Sequence, residues 1–448
     1  MRPVESSPEL SPREILFRCG SCGRPTPAAE AGATCPCGGL FEPRVYRPGD
    51  AGPAASPERA GSDPLPVEPG MLAAPGLDVL GRFDTPLLSR RIAGAELRLK
   101  YEGVLPTGSY KDRGARLLVA LCSSLGIPKL VEDSSGNAGA AIAAYAAALG
   151  IPAEIFAAEG AAPGKLRQIR SYGAKLTTVR GSREDVAAAA REAADHGGAR
   201  GGPAGGRVGA YYGSHVYNPL FIYGVQSAAE EILRQGGIPE EIVLPVGNGA
   251  LLLGLAEGFR AVGALPRFVA VQAAEPAPVW RAFHAAAAPG AAAPAGRGAA
   301  AGTEPTIADG VAVAAPARLD DMLAVIRESG GTVLRVGNDA IREAQRLLGS
   351  VGVYAEPTGA LATAGWLARQ AGGAGPRAAG AGDAGADTGT AGIAAGPAGG
   401  ETAAGAGDAP PPGRSASRDR GRETRGPEQS TPRPPVIFVT GSGLKESV

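Results

Sequence analysis

Residues 129–150 read KLVEDSSGNAGAAIAAYAAALG. Lys129-Leu130-Val131-Glu132-Asp133 has a strand's length and an apolar centre. Ala138 to Leu149 is an alanine-rich helix that Gly150 stops, and the serines and Asn137 between them suit a helix N-terminus. The same strand–turn–helix unit recurs on both sides. Upstream, Leu97–Tyr101 reads as a strand and Arg113–Leu125 as a helix ending at Gly126. Downstream come a strand at Ala153–Ala157, a helix at Pro163–Tyr172, a strand at Lys175–Val179 and a helix at Arg183–Ala194. Strands alternating with helices of about 10–15 residues make parallel βαβ units, so the chain is read as α/β.

The alternation resumes after a glycine-rich break at 197–209. One helix is expected over 220–235, then a buried strand at 241–246, a helix at 250–262, a strand at 268–272, a helix at 318–328, a strand at 332–336, helices at 338–349 and 360–371, and a last strand at 435–440. Two stretches interrupt it: Ala/Gly/Pro filler at 285–302, and 372–433, which has almost no large apolar residue and is expected to be disordered.

Composition narrows the function. The 448 residues carry 44 Lys+Arg and 44 Asp+Glu, a formal net charge of zero, so no basic surplus points to nucleic acid. No apolar run reaches the roughly 18–20 residues that cross a bilayer. The polar stretch Met1–Ser11 lacks the layout of a secretory signal. A soluble cytoplasmic protein is expected, with neither nucleic acid nor membrane as partner. Gly at 69 and Pro at 40 together approach the level at which low-complexity segments appear, consistent with the two insertions.

Four turns at strand ends carry the candidate chemistry. Pro106-Thr107-Gly108-Ser109-Tyr110-Lys111-Asp112-Arg113-Gly114 places Lys111 at a helix start, where the dipole favours the free amine that imine chemistry needs. Taken alone it also reads as a surface lysine in a polar turn. Ser134-Ser135-Gly136-Asn137 offers hydroxyls and free N–H groups to a carboxylate or phosphate, or is a plain N-cap. Pro245-Val246-Gly247-Asn248-Gly249-Ala250-Leu251 follows a buried strand and suits a single phosphate. It lacks the Lys-Ser/Thr of a P-loop and the acidic residue of a dinucleotide site. Thr440-Gly441-Ser442-Gly443 sets a hydroxyl at a sheet's carboxyl edge, where open α/β folds bind ligands.

Taken together and in this order, these runs resemble threonine synthase and its relatives, pyridoxal-phosphate (PLP) enzymes of the tryptophan-synthase-β-like fold. The matching stretches are PTGSYKDRG around Lys111, SSGNAGAA from Ser134, PVGNGALLLG from Pro245, VYAEPTGA from Val353 and VTGSGLK from Val439. The resemblance covers about 80–445 outside the insertions. It implies two twisted, mostly parallel sheets flanked by helices. A larger domain would span 73–111 and 216–448, a smaller one 112–215, with the cofactor between them.

It also implies roles. Lys111 would carry PLP covalently and move the substrate's α-proton. Asn137 would face the PLP ring hydroxyl and Thr440 the ring nitrogen, while Gly247, Asn248, Gly249, Ala250 and Leu251 would hold its phosphate. Ser134 and Ser135 would bind the substrate carboxylate. A hydroxyl opposite the ring nitrogen suits elimination and replacement better than transamination. The leading reaction is conversion of O-phosphohomoserine to threonine and phosphate. The alternatives are β-elimination or β-replacement on serine, threonine or phosphoserine, as in a dehydratase or a cysteate-synthase-like enzyme, and a non-catalytic binding module. A small amino acid is the expected partner, and a homodimer is one assembly open to the chain. Asp112 and Arg113 are expected to be structural.

The family's phosphate-gripping arginine position is Phe221 here, and its Asn-Ser pair is His215-Val216. Either another cation (Arg113, Arg167 or Lys445) takes a substrate phosphate, or the substrate has none.

Cys19, Cys22, Cys35 and Cys37, followed by Gly38-Gly39, read as a zinc-ribbon-like leader at 15–45, joined by a linker at 46–72. Four thiolates leave no open metal position, so this zinc would be structural. Cys122 is expected in the core.

Overall fold

The computed structural model describes residues 11–46, 76–161, 163–196, 199–200, 207–285, 304–371 and 433–443. Beyond Tyr46 the expected linker lies outside the described residues. So do nearly all of the insertions expected at 285–302 and 372–433, most of the glycine-rich break, and Lys445.

The leader carries a small antiparallel pair, β1 (Leu16–Arg18) and β2 (Pro25–Pro27). A hairpin follows, β3 (Leu87–Ile92) and β4 (Ala95–Tyr101), turned at Ala93-Gly94 with φ of 49° and 82°, the left-handed pair a tight hairpin needs. The alternating run comes next: α1 (Lys111–Ser124), β5 (Leu130–Glu132), α2 (Asn137–Ala148), β6 (Ala153–Ala158), α3 (Pro163–Ser171), β7 (Lys175–Val179) and α4 (Arg183–His196). The short strands β8 (Ala199–Arg200) and β9 (Arg207–Val208) precede β10 (Tyr211–Tyr212). The remainder is α5 (Pro219–Val225), α6 (Ser227–Gly236), β11 (Glu241–Pro245), α7 (Ala250–Arg260), β12 (Arg267–Ala273), α8 (Pro278–Ala285), α9 (Leu319–Glu328), β13 (Thr332–Val336), α10 (Asn338–Ser350), α11 (Pro357–Ala371) and β14 (Val436–Val439). No described helix is long and apolar enough to cross a membrane.

Two main sheets organise these elements. One has four parallel strands in the order β10-β5-β6-β7. The other has six in the order β13-β12-β11-β14-β4-β3, parallel except for the edge strand β3. The expected α/β architecture of mostly parallel sheets flanked by helices is therefore present. Every residue of β11 and β14 is buried, as strands covered by helices on both faces must be. The last strand in sequence enters the middle of the six-stranded sheet, between β11 and β4. This brings the turn after β14 beside the turn before α1, where Tyr110 N–H donates to the Thr440 carbonyl at 3.1 Å.

One apolar cluster runs from Ile15, Phe17 and Phe41 of the leader through α1 and α2 to Leu251, Leu252, Leu253 and Leu255 of α7. Each such buried leucine stabilises the fold by about 1.5–3 kcal/mol. Cys122 lies in this core, as expected. Phe221 is fully buried, and its ring sits where a Cβ on Gly114 would come within 2.4 Å, so only glycine lets α1 approach α5 there.

The helix expected over 220–235 is two helices. Gly224 weakens it, and Ser227 Oγ bonds back to the Gly224 carbonyl at 2.9 Å, a contact that bends helices. A buried polar network ties these elements to β4. Arg113 donates to Glu102 Oε2 at 2.6 Å and Glu231 Oε1 at 2.7 Å, and Lys100 donates to Glu231 Oε2 at 2.7 Å. Arg113 is thus structural, and it is not the cation that could replace the missing phosphate-gripping arginine. Arg167 is exposed on α3 and does not line the cavity described below.

Candidate active site

A cavity of ≈ 520 Å³ opens where strands of both main sheets end. The turns singled out in the sequence meet there: Lys111, Ser134, Ser135, Asn137, Gly247, Asn248, Gly249, Ala250, Leu251 and Thr440 all line it.

Lys111 opens α1, and its Nζ donates to the Tyr110 hydroxyl at 2.5 Å and lies 4.0 Å from that ring's centroid. The turn from β5 to α2 holds Ser134 and Ser135. It packs so tightly on α2 that a Cβ on Gly139 would sit 1.9 Å from the Ser134 carbonyl. Asn137, first residue of α2, donates from Nδ2 to Glu356 Oε1 at 2.9 Å. Glu356 in turn lies against Gly441, where a Cβ would meet its Oε1 at 2.2 Å.

The Gly247-Asn248-Gly249 turn leads into the N-terminus of α7. Gly249 has φ +90°, and a Cβ there would meet Met322 Sδ at 2.6 Å. The bare backbone N–H groups of this turn and the first turn of α7 form a cradle for one anionic group. Thr440 is 2% exposed, and its Oγ1 has no hydrogen-bond partner among the described residues. Burying such a hydroxyl unpaired costs about 1–3 kcal/mol, so a ligand atom that pairs with it recovers that loss. An amine, an anion cradle and a buried hydroxyl around one cavity are a donor set that fits PLP.

Of the other groups at the wall, Glu132, Arg183 and Arg191 have no local signal in the sequence, and His215 stands out only through the His215-Val216 pair. His215 Nδ1 lies 2.6 Å from Glu132 Oε1, and Arg183 Nη1 lies 2.6 Å from Asp133 Oδ2. Burial holds His215 well below the usual imidazole range, and Lys111 and Arg183 push it the same way. Burial and the neighbouring Asp133 push Glu132 well above the usual carboxyl range. Arg191 also lines the cavity, its guanidinium 6.0 Å from the Tyr217 ring centroid. Arg183 and Arg191 are ordinary members of α4 by sequence, and only the packing of α4 over β5 and β6 turns them inward. Glu356 falls within the family-like stretch VYAEPTGA, where nothing in its residue type singles it out.

In the leader, Cys19, Cys22, Cys35 and Cys37 place their Sγ atoms within 4.8 Å of one another. Two of the separations are 3.6 Å (Cys19–Cys37) and 3.7 Å (Cys22–Cys35). Thiolates at about 2.3 Å from a tetrahedral zinc lie about 3.8 Å apart, so the set fits that ion. Gly39 is required beside it, since a Cβ would meet Cys19 Sγ at 2.8 Å. The leader is fastened to the cavity wall by the buried Arg318, which donates to the carbonyls of Phe41, Val216 and Tyr217 at 3.0, 3.0 and 3.2 Å.

Residues 80–379 match the model of a family described as pyridoxal-phosphate dependent enzyme. Threonine synthase of Methanocaldococcus jannaschii is 30% identical over 372 residues, which span 78% of this chain and 86% of that protein. Threonine synthase of Synechocystis sp. is 31% identical over 293 residues, 63% of this chain and 69% of the relative. Among solved structures, a threonine deaminase from T.th. has a TM-score of 0.52 at 29% identity, covering 64% of this chain and 88% of that one. Maize serine racemase has a TM-score of 0.57 at 20% identity, covering 81% and 89%, a likeness of fold alone.

Proposed function

The chain belongs to the family of pyridoxal-phosphate dependent enzymes, and from that premise we propose that it is a threonine-synthase-type lyase, converting O-phosphohomoserine and water to threonine and phosphate. The observation that carries this reading is the extent of the likeness, which runs over 86% of a threonine synthase. The convergence of the lysine, serine, glycine and threonine turns on one cavity supports it.

The residues divide the work by position. Lys111 is the amine that carries the cofactor and moves the proton of the substrate α-carbon. The Gly247–Leu251 turn and the α7 N-terminus hold the cofactor phosphate through backbone N–H groups. Thr440 would offer its buried hydroxyl to the ring nitrogen, and a hydroxyl, unlike a carboxylate, would not enforce protonation there. Asn137, steadied by Glu356, would be the side chain that pairs with the ring hydroxyl. Ser134, Ser135 and the start of α2 would bind the substrate carboxylate in the same cavity as Lys111. Bound in this cavity, pyridoxal phosphate supplies the electron sink that lets the α-proton leave. In the leader, Cys19, Cys22, Cys35 and Cys37 hold a structural zinc.

The test is a substrate panel: O-phosphohomoserine, phosphoserine, serine and threonine, followed by release of phosphate, threonine and keto acid. Threonine and phosphate from O-phosphohomoserine support the reading, and their absence rejects it. A second reading is β-elimination on serine or threonine. Two observations favour it: the likeness to a threonine deaminase at 29% identity, and the burial of Phe221 in the core where the family has an arginine. Keto acid from serine or threonine, with nothing from O-phosphohomoserine, decides for it.

A further inference from the structure

We propose that Glu132 and His215 form a proton-transfer pair for the leaving group of the substrate, His215 touching that group and Glu132 acting through the imidazole. The proposal rests on the cavity's hosting an elimination or replacement reaction, whichever substrate enters it.

His215 lines the cavity within its wall of Lys111, Asp133 and Arg183. Its Nδ1 is held by Glu132 Oε1 at 2.6 Å, so Nε2 is the ring nitrogen left for a bound molecule. The ring is fixed on its other side by the edge of Phe221, centroids 6.0 Å apart. Glu132 is fully buried, and its second oxygen, Oε2, has no partner among the described residues. Asp133, the adjacent carboxylate, is matched by Arg183 at 2.6 Å. A lone carboxylate so deeply buried is costly, and so is a lone imidazolium beside Lys111 and Arg183. The arrangement that avoids both is a protonated Glu132 donating to Nδ1, with the imidazole proton on Nε2.

That arrangement is a loaded acid. As the bond from substrate carbon to leaving-group oxygen breaks, its electrons go to the oxygen. The oxygen takes the Nε2 proton, and Nδ1 takes the proton of Glu132. The pair ends as a carboxylate and a neutral imidazole. In replacement, the water that adds to a substrate carbon gives its proton to Nε2 and Nδ1 returns one to Glu132; in elimination, a proton from solvent reloads Nε2 in the same way, matching the α-proton that Lys111 removed. Over the cycle the pair gives one proton and recovers one. Lys111 serves the α-carbon, and the pair serves the other end of the same substrate.

The test compares His215→Gln, His215→Ala and Glu132→Gln with the wild type, all loaded with PLP and checked for native circular dichroism. In both glutamine variants kcat is expected to fall about 10²–10³-fold while KM changes little, the scale of a lost general acid. The loss is expected to be larger for a hydroxyl leaving group than for phosphate, and the double glutamine variant no worse than either single one. Added imidazole is expected to restore part of the rate of His215→Ala. Exchange of the α-proton with deuterated solvent, which needs Lys111 and not the pair, is expected to continue. In protein free of substrate and cofactor, the low-field proton resonance of the Glu132–His215 bond should be present in the wild type and absent from the glutamine variants. Wild-type kcat in His215→Gln, or an equal loss for every leaving group, overturns the pair alone. A wild type that exchanges α-protons but eliminates from no substrate overturns the underlying reading and the pair with it.

Discussion

Asn137 Nδ2 lies 2.9 Å from Glu356 Oε1, and this bond joins the start of a helix on the four-stranded sheet to the segment that opens the long helix on the six-stranded one. Both residues line the cavity, so a contact between the sheets also sets the direction of a side chain expected to face the cofactor. Glu356→Ala is expected to weaken PLP binding about 5–10-fold, equivalent to a hydrogen bond of about 1 kcal/mol. Glu356→Gln, which keeps an acceptor, should stay nearer the wild type. Absorbance titration with PLP measures both.

Thr440→Val separates cofactor binding from folding. The hydroxyl is buried and unpaired among the described residues, so its removal should raise the stability of cofactor-free protein by about 1 kcal/mol. The same change should weaken PLP binding several-fold. Denaturant unfolding without PLP and titration with it give the two opposite signs. A destabilised cofactor-free variant would contradict the assignment.

Lys111→Ala should lose the visible absorption of the bound cofactor and at least about 10³ in kcat, since it removes both the covalent anchor and the α-proton carrier. Borohydride reduction followed by peptide mapping should label the wild-type peptide containing Lys111 and nothing in the variant.

Glu231 gives the acid limb of stability. Burial alone would raise its carboxyl, but Arg113 and Lys100 outweigh that and hold it at about 2 against an ordinary 4.5. A folded-state value below the unfolded one means the stabilisation is complete above pH 4.5 and lost as pH falls toward 2. Glu231→Gln should therefore destabilise the protein by about 3 kcal/mol at neutral pH, because it strands Arg113 and Lys100 partly unpaired. It should also flatten the dependence of stability on pH in that acid window. Urea midpoints from pH 7 down to 2 test it.

Metal analysis of anaerobically purified protein should find about one zinc per chain. Removal of zinc by a chelator, or Cys35→Ser, should unfold the leader. Through the bonds of Arg318 to Phe41, Val216 and Tyr217, it should also raise KM for the substrate before it changes kcat. Zinc-free protein with unchanged activity would leave the leader without influence on the cavity.

The alternating elements were legible because each has its own punctuation: Gly126 and Gly150 end helices with positive φ, and β11 runs apolar from Ile242 to Pro245 before a glycine turn. β3 was missed because Leu87-Leu88-Ser89-Arg90-Arg91-Ile92 places paired arginines in an edge strand, where solvent accepts them. β10 has two residues and takes its identity from its neighbour β5. In the site, the turns carried their own signal through glycine and hydroxyl residues. Glu132, Arg183 and Arg191 did not, since a charged residue on a strand or helix reads as a solvated face until packing places it. Phe221 marks the limit of reading by position. The resemblance implies an arginine at this position, but only the contact with Gly114 and His215 explains why a ring fits there.

Because β14 occupies the interior of the six-stranded sheet, the order of synthesis matters to this enzyme. Until β14 is added, β11 pairs only with β12 and β4 only with β3, the gap between the two pairs is unfilled, and the wall bearing Thr440 does not exist. A nascent chain stalled there would hold the other cavity turns but not the wall that Thr440 supplies, so the cavity takes its full lining only when β14 is threaded home.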